Sequence, residues 1–140
     1  MRRLVLTVVL SVSLALTGAV HFSWAQGVQE KVKALSDKAA KDYLTQGLML
    51  AGEGGRDEDA AKAFHQAISL RPDWAEAHSL LGSALARAGN YKEAEAELRK
   101  AVTLKPDYAE GWNYLGQFYK DQHKDKEAQE AFNKAKQYAR

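Results

Sequence analysis

Apolar and polar residues follow one another along this chain in two regimes. Leu4 to Val20, LVLTVVLSVSLALTGAV, is a run without a single charged side chain. After it, apolar residues recur every three or four positions with Lys, Glu, Asp and Gln between them, as in Val28, Val32, Leu35 and Ala39, then Ala77, Leu81 and Leu85, then Ala94, Leu98, Ala101 and Leu104. That spacing belongs to helices that bury one face and wet the other. It is interrupted by glycine at Gly52 to Gly55 and Gly89, and by proline at Pro72 and Pro106. The pattern predicts an all-α chain of short helices between these breaks.

The breaks are themselves periodic. Pro72 returns as Pro106, Gly82 as Gly116, and Ala60, Ala94 and Ala128 are each followed seven residues on by Ala67, Ala101 and Ala135, with Phe64, Leu98 and Phe132 between them. Every offset is 34 residues. A repeat of this length is one supersecondary unit that must stack on its neighbours to bury its apolar face. Each reads as helix, turn, helix. The divisions are residues 26–40 as an N-terminal helical segment or cap, 41–74 as an irregular first repeat, 75–108 as the second and 109–140 as the third.

Local chemistry sharpens the boundaries. Gly89 suits the left-handed conformation that ends a helix, with Gly55 and His123 in the equivalent places. Aligning Tyr43 and Gly47 with Trp112 and Gly116 requires one extra residue in the first turn. Asp73 and Asp107 are expected to be N-caps, each with a Glu (Glu76, Glu110) three positions on to complete a capping box. Gly82, Gly116, Ala94 and Ala128 are expected where two helices cross, and Leu81, Leu98, Trp112, Leu115, Tyr119 and Phe132 fill the adjoining space.

Trp112, Leu115, Gly116, Tyr119, Ala128, Phe132 and Ala135 resemble the tetratricopeptide repeat pattern position by position. His78, Leu81, Gly82, Leu85, Ala94, Leu98, Ala101 and Pro106 match it with His in the Trp place and Leu in two aromatic places. The resemblance spans residues 41–140. It implies an α-α superhelix of three helix-turn-helix repeats, and a general role in protein–protein interaction.

Charge and composition then change the picture at the N-terminus. The chain holds 20 Lys plus Arg against 18 Asp plus Glu, for a formal net charge of +2. Arg2 and Arg3 account for the whole surplus, so residues 26–140 are neutral and have no general attraction for nucleic acid or an anionic membrane. Two arginines, an uncharged run and Ser23-Trp24-Ala25 read as a secretory signal peptide over residues 1–25, cleaved after Ala25. The alternative is an uncleaved membrane anchor, for which seventeen uncharged residues lie at the short limit. A periplasmic or secreted protein is expected. There is no cysteine, which excludes disulfides, thiolate metal sites and a cysteine nucleophile.

Enzyme chemistry finds little to stand on. His21, His65, His78 and His123 form no HExxH or similar pattern, and the glycines at 52–55 lack the Lys-Ser/Thr tail of a phosphate loop. No catalytic, cofactor-binding or metal-ligating residue is expected, and no cofactor; His65 and His78 are the one pair that could meet across adjacent helices to support a small hydrolase or metal-dependent activity. The family resemblance implies instead that first helices line a concave groove. Its candidate partner-binding residues are Glu76, Ser79, Leu80, Ser83 and Arg87 in the second repeat and Glu110, Asn113, Tyr114, Gln117 and Lys120 in the third, with Tyr91 at a turn edge. Such a groove suits a protein or peptide partner of the cell envelope, bound through polar contacts and an apolar anchor. Leu80, Glu110 and Tyr114 stand where chaperone-tail binders of the family hold a C-terminal carboxylate, so that specificity is not expected. Self-association through an uncapped last repeat is the alternative.

Overall fold

The computed structural model describes the backbone of residues 2–139 and the side chains of residues 24–139. Among the described residues the chain is entirely helical apart from turns: α1 (Arg2–Gly52), α2 (Asp57–Leu70), α3 (Ala75–Arg87), α4 (Tyr91–Leu104), α5 (Ala109–Asp121) and α6 (Asp125–Tyr138). It divides into two compact units, Met1–Ser36 and Asp37–Arg140. The second holds three helix pairs, made by the end of α1 with α2, α3 with α4, and α5 with α6. The leader expected over residues 1–25 falls, up to residue 23, outside the described side chains. Among the described residues no helix is long and apolar enough to cross a membrane.

Each pair closes on a glycine. A Cβ placed on Gly47 would lie 2.5 Å from the Phe64 ring, one on Gly82 2.6 Å from Leu98 Cγ, and one on Gly116 2.7 Å from the Phe132 ring. From glycine to its partner is seventeen residues in the first pair and sixteen in the others, so the extra residue of the first turn is real. Gly54 and Gly55 absorb it, both at positive φ. Gly89 has φ +86 and His123 φ +57. In both places a 6→1 bond closes the helix end, Asn90 N–H to the Leu85 carbonyl at 2.8 Å and Lys124 N–H to the Tyr119 carbonyl at 2.9 Å.

The capping boxes do not form. The N-cap residues are Trp74 and Tyr108, with no side-chain cap hydrogen bond. Trp74 N–H bonds the Arg71 carbonyl at 3.2 Å and Tyr108 N–H the Lys105 carbonyl at 3.1 Å, closing four-residue turns with proline second and aspartate third. The aspartates are spent inside the turns, each helix starts one residue later, and Glu76 and Glu110 fall one place short of the reach a box needs.

The core is a continuous line of small and large side chains: Ala60, Phe64, Ala77, Leu81, Leu85, Ala94, Leu98, Leu115, Tyr119 and Ala128 are buried and mutually packed. Trp112 and Phe132 are only half-buried, at the margin. α3 packs on α5, whereas no comparable contact joins α4 to α6. First helices therefore form the inner side of the stack and second helices splay on the outer side. Residues buried or half-buried in the second repeat change character in the third: Ser79, Ser83, Ala86 and Val102 become Asn113, Gln117, Lys120 and Lys136, all exposed.

The close approaches rank two substitutions. In Gly82→Ala the new methyl meets a buried Leu98 and, at 3.0 Å, the immobile Ala94 carbonyl, whereas in Gly116→Ala its three nearest neighbours all belong to the half-exposed Phe132 ring. Overpacking of this kind costs about 1–3 kcal/mol and is offset by the roughly 1 kcal/mol that alanine gains over glycine in a helix. Thermal unfolding should show Gly82→Ala clearly destabilised and Gly116→Ala close to wild type.

Candidate functional site

The inner face is the surface the first helices leave open. Glu76, Arg87, Glu110, Asn113, Gln117 and Lys120 are exposed there, Leu80 and Ser83 are half-buried, and Tyr114 keeps 37% of its surface. Ser79 does not belong to this set. It is completely buried and donates to the Glu76 carbonyl at 2.9 Å. Arg87 and Lys120 are not equivalent either; the place of Arg87 in the third repeat is Asp121, which accepts from Gln117 Nε2 at 2.7 Å.

Charge on this face is partly spent. Arg87 Nε donates to Asp57 at 2.6 Å and its Nη1 to Ser83 at 3.1 Å. The pKa of the Tyr108 hydroxyl is raised, by burial first, with the charges of Glu76 and Glu110 adding to it. Neither glutamate has an ion-pair partner among the described residues, whose inter-helix pairs join other carboxylates. The inner face therefore offers unpaired carboxylates beside Leu80 and Tyr114.

The outer side carries features the sequence did not announce. Two clefts of about 340 and 290 Å³ open beside the second helices and are related by the repeat: Arg99, Leu115, Tyr119 and Glu127 line one where His65, Leu81, Leu85 and Glu93 line the other. In the first, Lys134 Nζ sits 4.2 Å from the centre of the Trp112 ring and covers it. Tyr91, 51% exposed, lies at the turn by Gly89 and Asn90. The α4–α5 junction is held by polar groups: Tyr119 donates to Glu95 at 3.1 Å, Arg99 Nε donates to the Tyr119 oxygen at 2.9 Å, and Lys124 Nζ bonds the second Glu95 oxygen at 3.3 Å. At the preceding junction the same places are Leu85, Ala61, His65 and Asn90.

His78 and His65 do not meet as a pair. His65 lines its cleft, while His78 is buried with both ring nitrogens engaged, Nδ1 on the Glu97 carboxylate and Nε2 on the Pro72 carbonyl at 2.9 Å. Both partners are acceptors, so this setting favours hydrogen on both nitrogens and with it the charged form of the ring. Burial opposes that charge and is the largest influence; the hydrogen bonds to Glu97 and Pro72, with the charge of Glu97, outweigh it and Lys100 opposite, and the pKa is raised. Trp112, 34 residues on, makes the same bond to the Pro106 carbonyl at 2.8 Å and has Ala131 in the place of Glu97. Among the described residues no group of three or more His, Asp or Glu is arranged to hold a metal.

Two tetratricopeptide repeat family models match the chain, over residues 49–109 and 85–140. The chain belongs to the tetratricopeptide repeat family, whose domains mediate protein–protein interaction. No protein of curated function matches it in sequence. Among solved structures it is similar to MamA, at 24% identity and TM-score 0.64 over 72% of this chain and 58% of that one. The second tetratricopeptide domain of Spaghetti, bound to the HSP90 peptide SRMEEVD, is similar at 20% identity and TM-score 0.67 over 75% and 95%. Pseudomonas aeruginosa pilF is similar at 28% identity and TM-score 0.68, over 73% of this chain and 46% of that one. The chain thus spans less than two thirds of MamA and of pilF.

The His78 geometry sets a pH dependence with a definite sign. A histidine whose folded pKa is raised contributes stability fully below its unfolded pKa of about 6.5 and loses it as pH rises through the folded value. Replacing the pair by its third-repeat equivalents, His78→Trp with Glu97→Ala, keeps the carbonyl bond and removes the titration. Melting temperatures measured from pH 5.5 to 9 should fall through this window in the wild type and lose that component in the double variant.

Proposed function

We propose that this protein is an exported, non-enzymatic adaptor whose inner face holds a segment of another cell-envelope protein. The observation that carries the reading is the inner face itself: Asn113, Tyr114 and Gln117 stand exposed on α5 beside the half-buried Leu80 of α3, amide and apolar groups side by side on rigid helices. Such a surface recognises a peptide by a few hydrogen bonds around an apolar anchor. The Spaghetti domain, of the same fold, holds a peptide. Here Glu110 and Glu76 would repel an acidic peptide of that kind, so a neutral or basic segment is the fitting partner.

Export rests on Arg2, Arg3 and the uncharged run that follows, with Ala25 as the last residue of the leader. The engaged nitrogens of His78 speak against a histidine-based hydrolase, and no cofactor, nucleic acid or metal is invoked. Mass spectrometry of protein recovered from the producing cell should give a chain that begins at Gln26; a chain that still begins at Met1 would establish the anchored form instead. Asn113→Ala with Tyr114→Ala, both exposed, should leave the melting temperature within about 0.5 kcal/mol of wild type. The same variant should lose at least most of the partner captured by a photo-cross-linker at Gln117 in whole cells. Undiminished capture would show that the binding face lies elsewhere.

A further inference from the structure

We infer that the inner face also accepts residues 28–35 of a second copy of this chain. The inference rests on the reading of that face as a binding surface, and commits to one occupant. Val28, Val32 and Leu35 are 42%, 60% and 67% exposed and stand at i, i+4 and i+7, one stripe along α1. A helix that enters a groove presents anchors at just these intervals. In water the stripe has nothing to recommend it, since burying side chains of this size is worth roughly 1.5–3 kcal/mol each.

The inner face supplies a matching receptor. Register with Gly47, Gly82 and Gly116 places Leu48, Ser83 and Gln117 in equivalent positions, so Leu48, 45% exposed, faces the same way as the groove residues of the other repeats. Leu48 and Tyr114, both exposed, and the half-buried Leu80 put an apolar side chain on each first helix. Glu76 and Glu110 flank Leu80 and Tyr114 one helical turn away, and the Arg87 guanidinium of the same face is held by Asp57. Lys31 borders the stripe next to Val32 and supplies the complementary charge. Donor stripe and acceptor face are different surfaces of the same chain, so the contact is heterologous: copies join head to tail, and the assembly grows with concentration unless it closes into a ring.

The absence of native cysteine makes the contact directly testable. Leu35→Cys and Tyr114→Cys are made separately in the full chain, with different size tags, and produced together in the cell. Thr103→Cys, exposed on α4, replaces Tyr114→Cys as the control. Mild oxidation should join Leu35→Cys to Tyr114→Cys at least about ten times faster than to Thr103→Cys, because docking raises the local thiol concentration. Adding Val32→Asp to the donor should abolish that advantage. Equal rates with the two acceptors would overturn the inference. So would Leu35→Cys joining chiefly to itself, which would make the stripe a twofold contact, or its shielding from oxidant by membranes, which would make it a lipid contact. If the cross-linker at Gln117 captures another envelope protein while the cysteine pair fails, this inference falls and the adaptor reading stands; if both fail, the adaptor reading falls with it.

Discussion

Everything in the repeat unit depends on one steric constraint, the approach of a second-helix side chain onto a bare glycine of the first helix. At Gly47, Gly82 and Gly116 the facing Phe64, Leu98 and Phe132 come so near that a methyl group would overlap them. Two helices held this close bury the alanines on either side of the contact and have room for only a tight turn between them. The turn must then be closed by a residue at positive φ, and Gly55, Gly89 and His123 take that role. Spacing, turn chemistry and core composition are consequences of that contact. The 34-residue period is its repetition.

From the same contact the binding surface follows. Because α3 touches α5 and no comparable contact joins α4 to α6, the stack has an inner side and an outer side, and the outer side opens into clefts between repeats. The frame is constant while its occupants vary in matched sets. Trp112 with Ala131 in the third repeat is answered by His78 with Glu97 in the second: the smaller ring leaves room for a carboxylate, and the carboxylate supplies the charge that lets a buried histidine keep two protons. Shape and charge change together.

Much of this could be read from residues alone, for a physical reason. Glycine, proline and alanine at fixed intervals report backbone geometry, and backbone geometry is local; the helix pairs, the extra residue of the first turn and the left-handed His123 are all of this kind. What escaped depends on neighbours. Ser79 keeps groove register on its own helix and is lost from the groove because the packed stack buries it completely. The aspartate caps failed by a single residue, since Asp73 and Asp107 serve a turn as readily as a helix start. The outer clefts need the curvature of the whole stack. The His78–Glu97 pair had a signal in the sequence, the joint exchange against Trp112 and Ala131, visible only when two repeats are compared residue by residue.

The two junctions between repeats are made of different material. Between the first and second, Ala61, Leu81 and Leu85 meet through apolar contact, which has no preferred direction, and one charged tie, Arg87 to Asp57, crosses the joint. Between the second and third, Glu95, Arg99, Tyr119 and Lys124 interlock through bonds that fix angle as well as distance. The two joints therefore answer differently to the solvent: the second, held by four polar and charged side chains, is the more sensitive to salt, which screens such groups, and the first, held mainly by apolar packing with a single charged tie, is the less so.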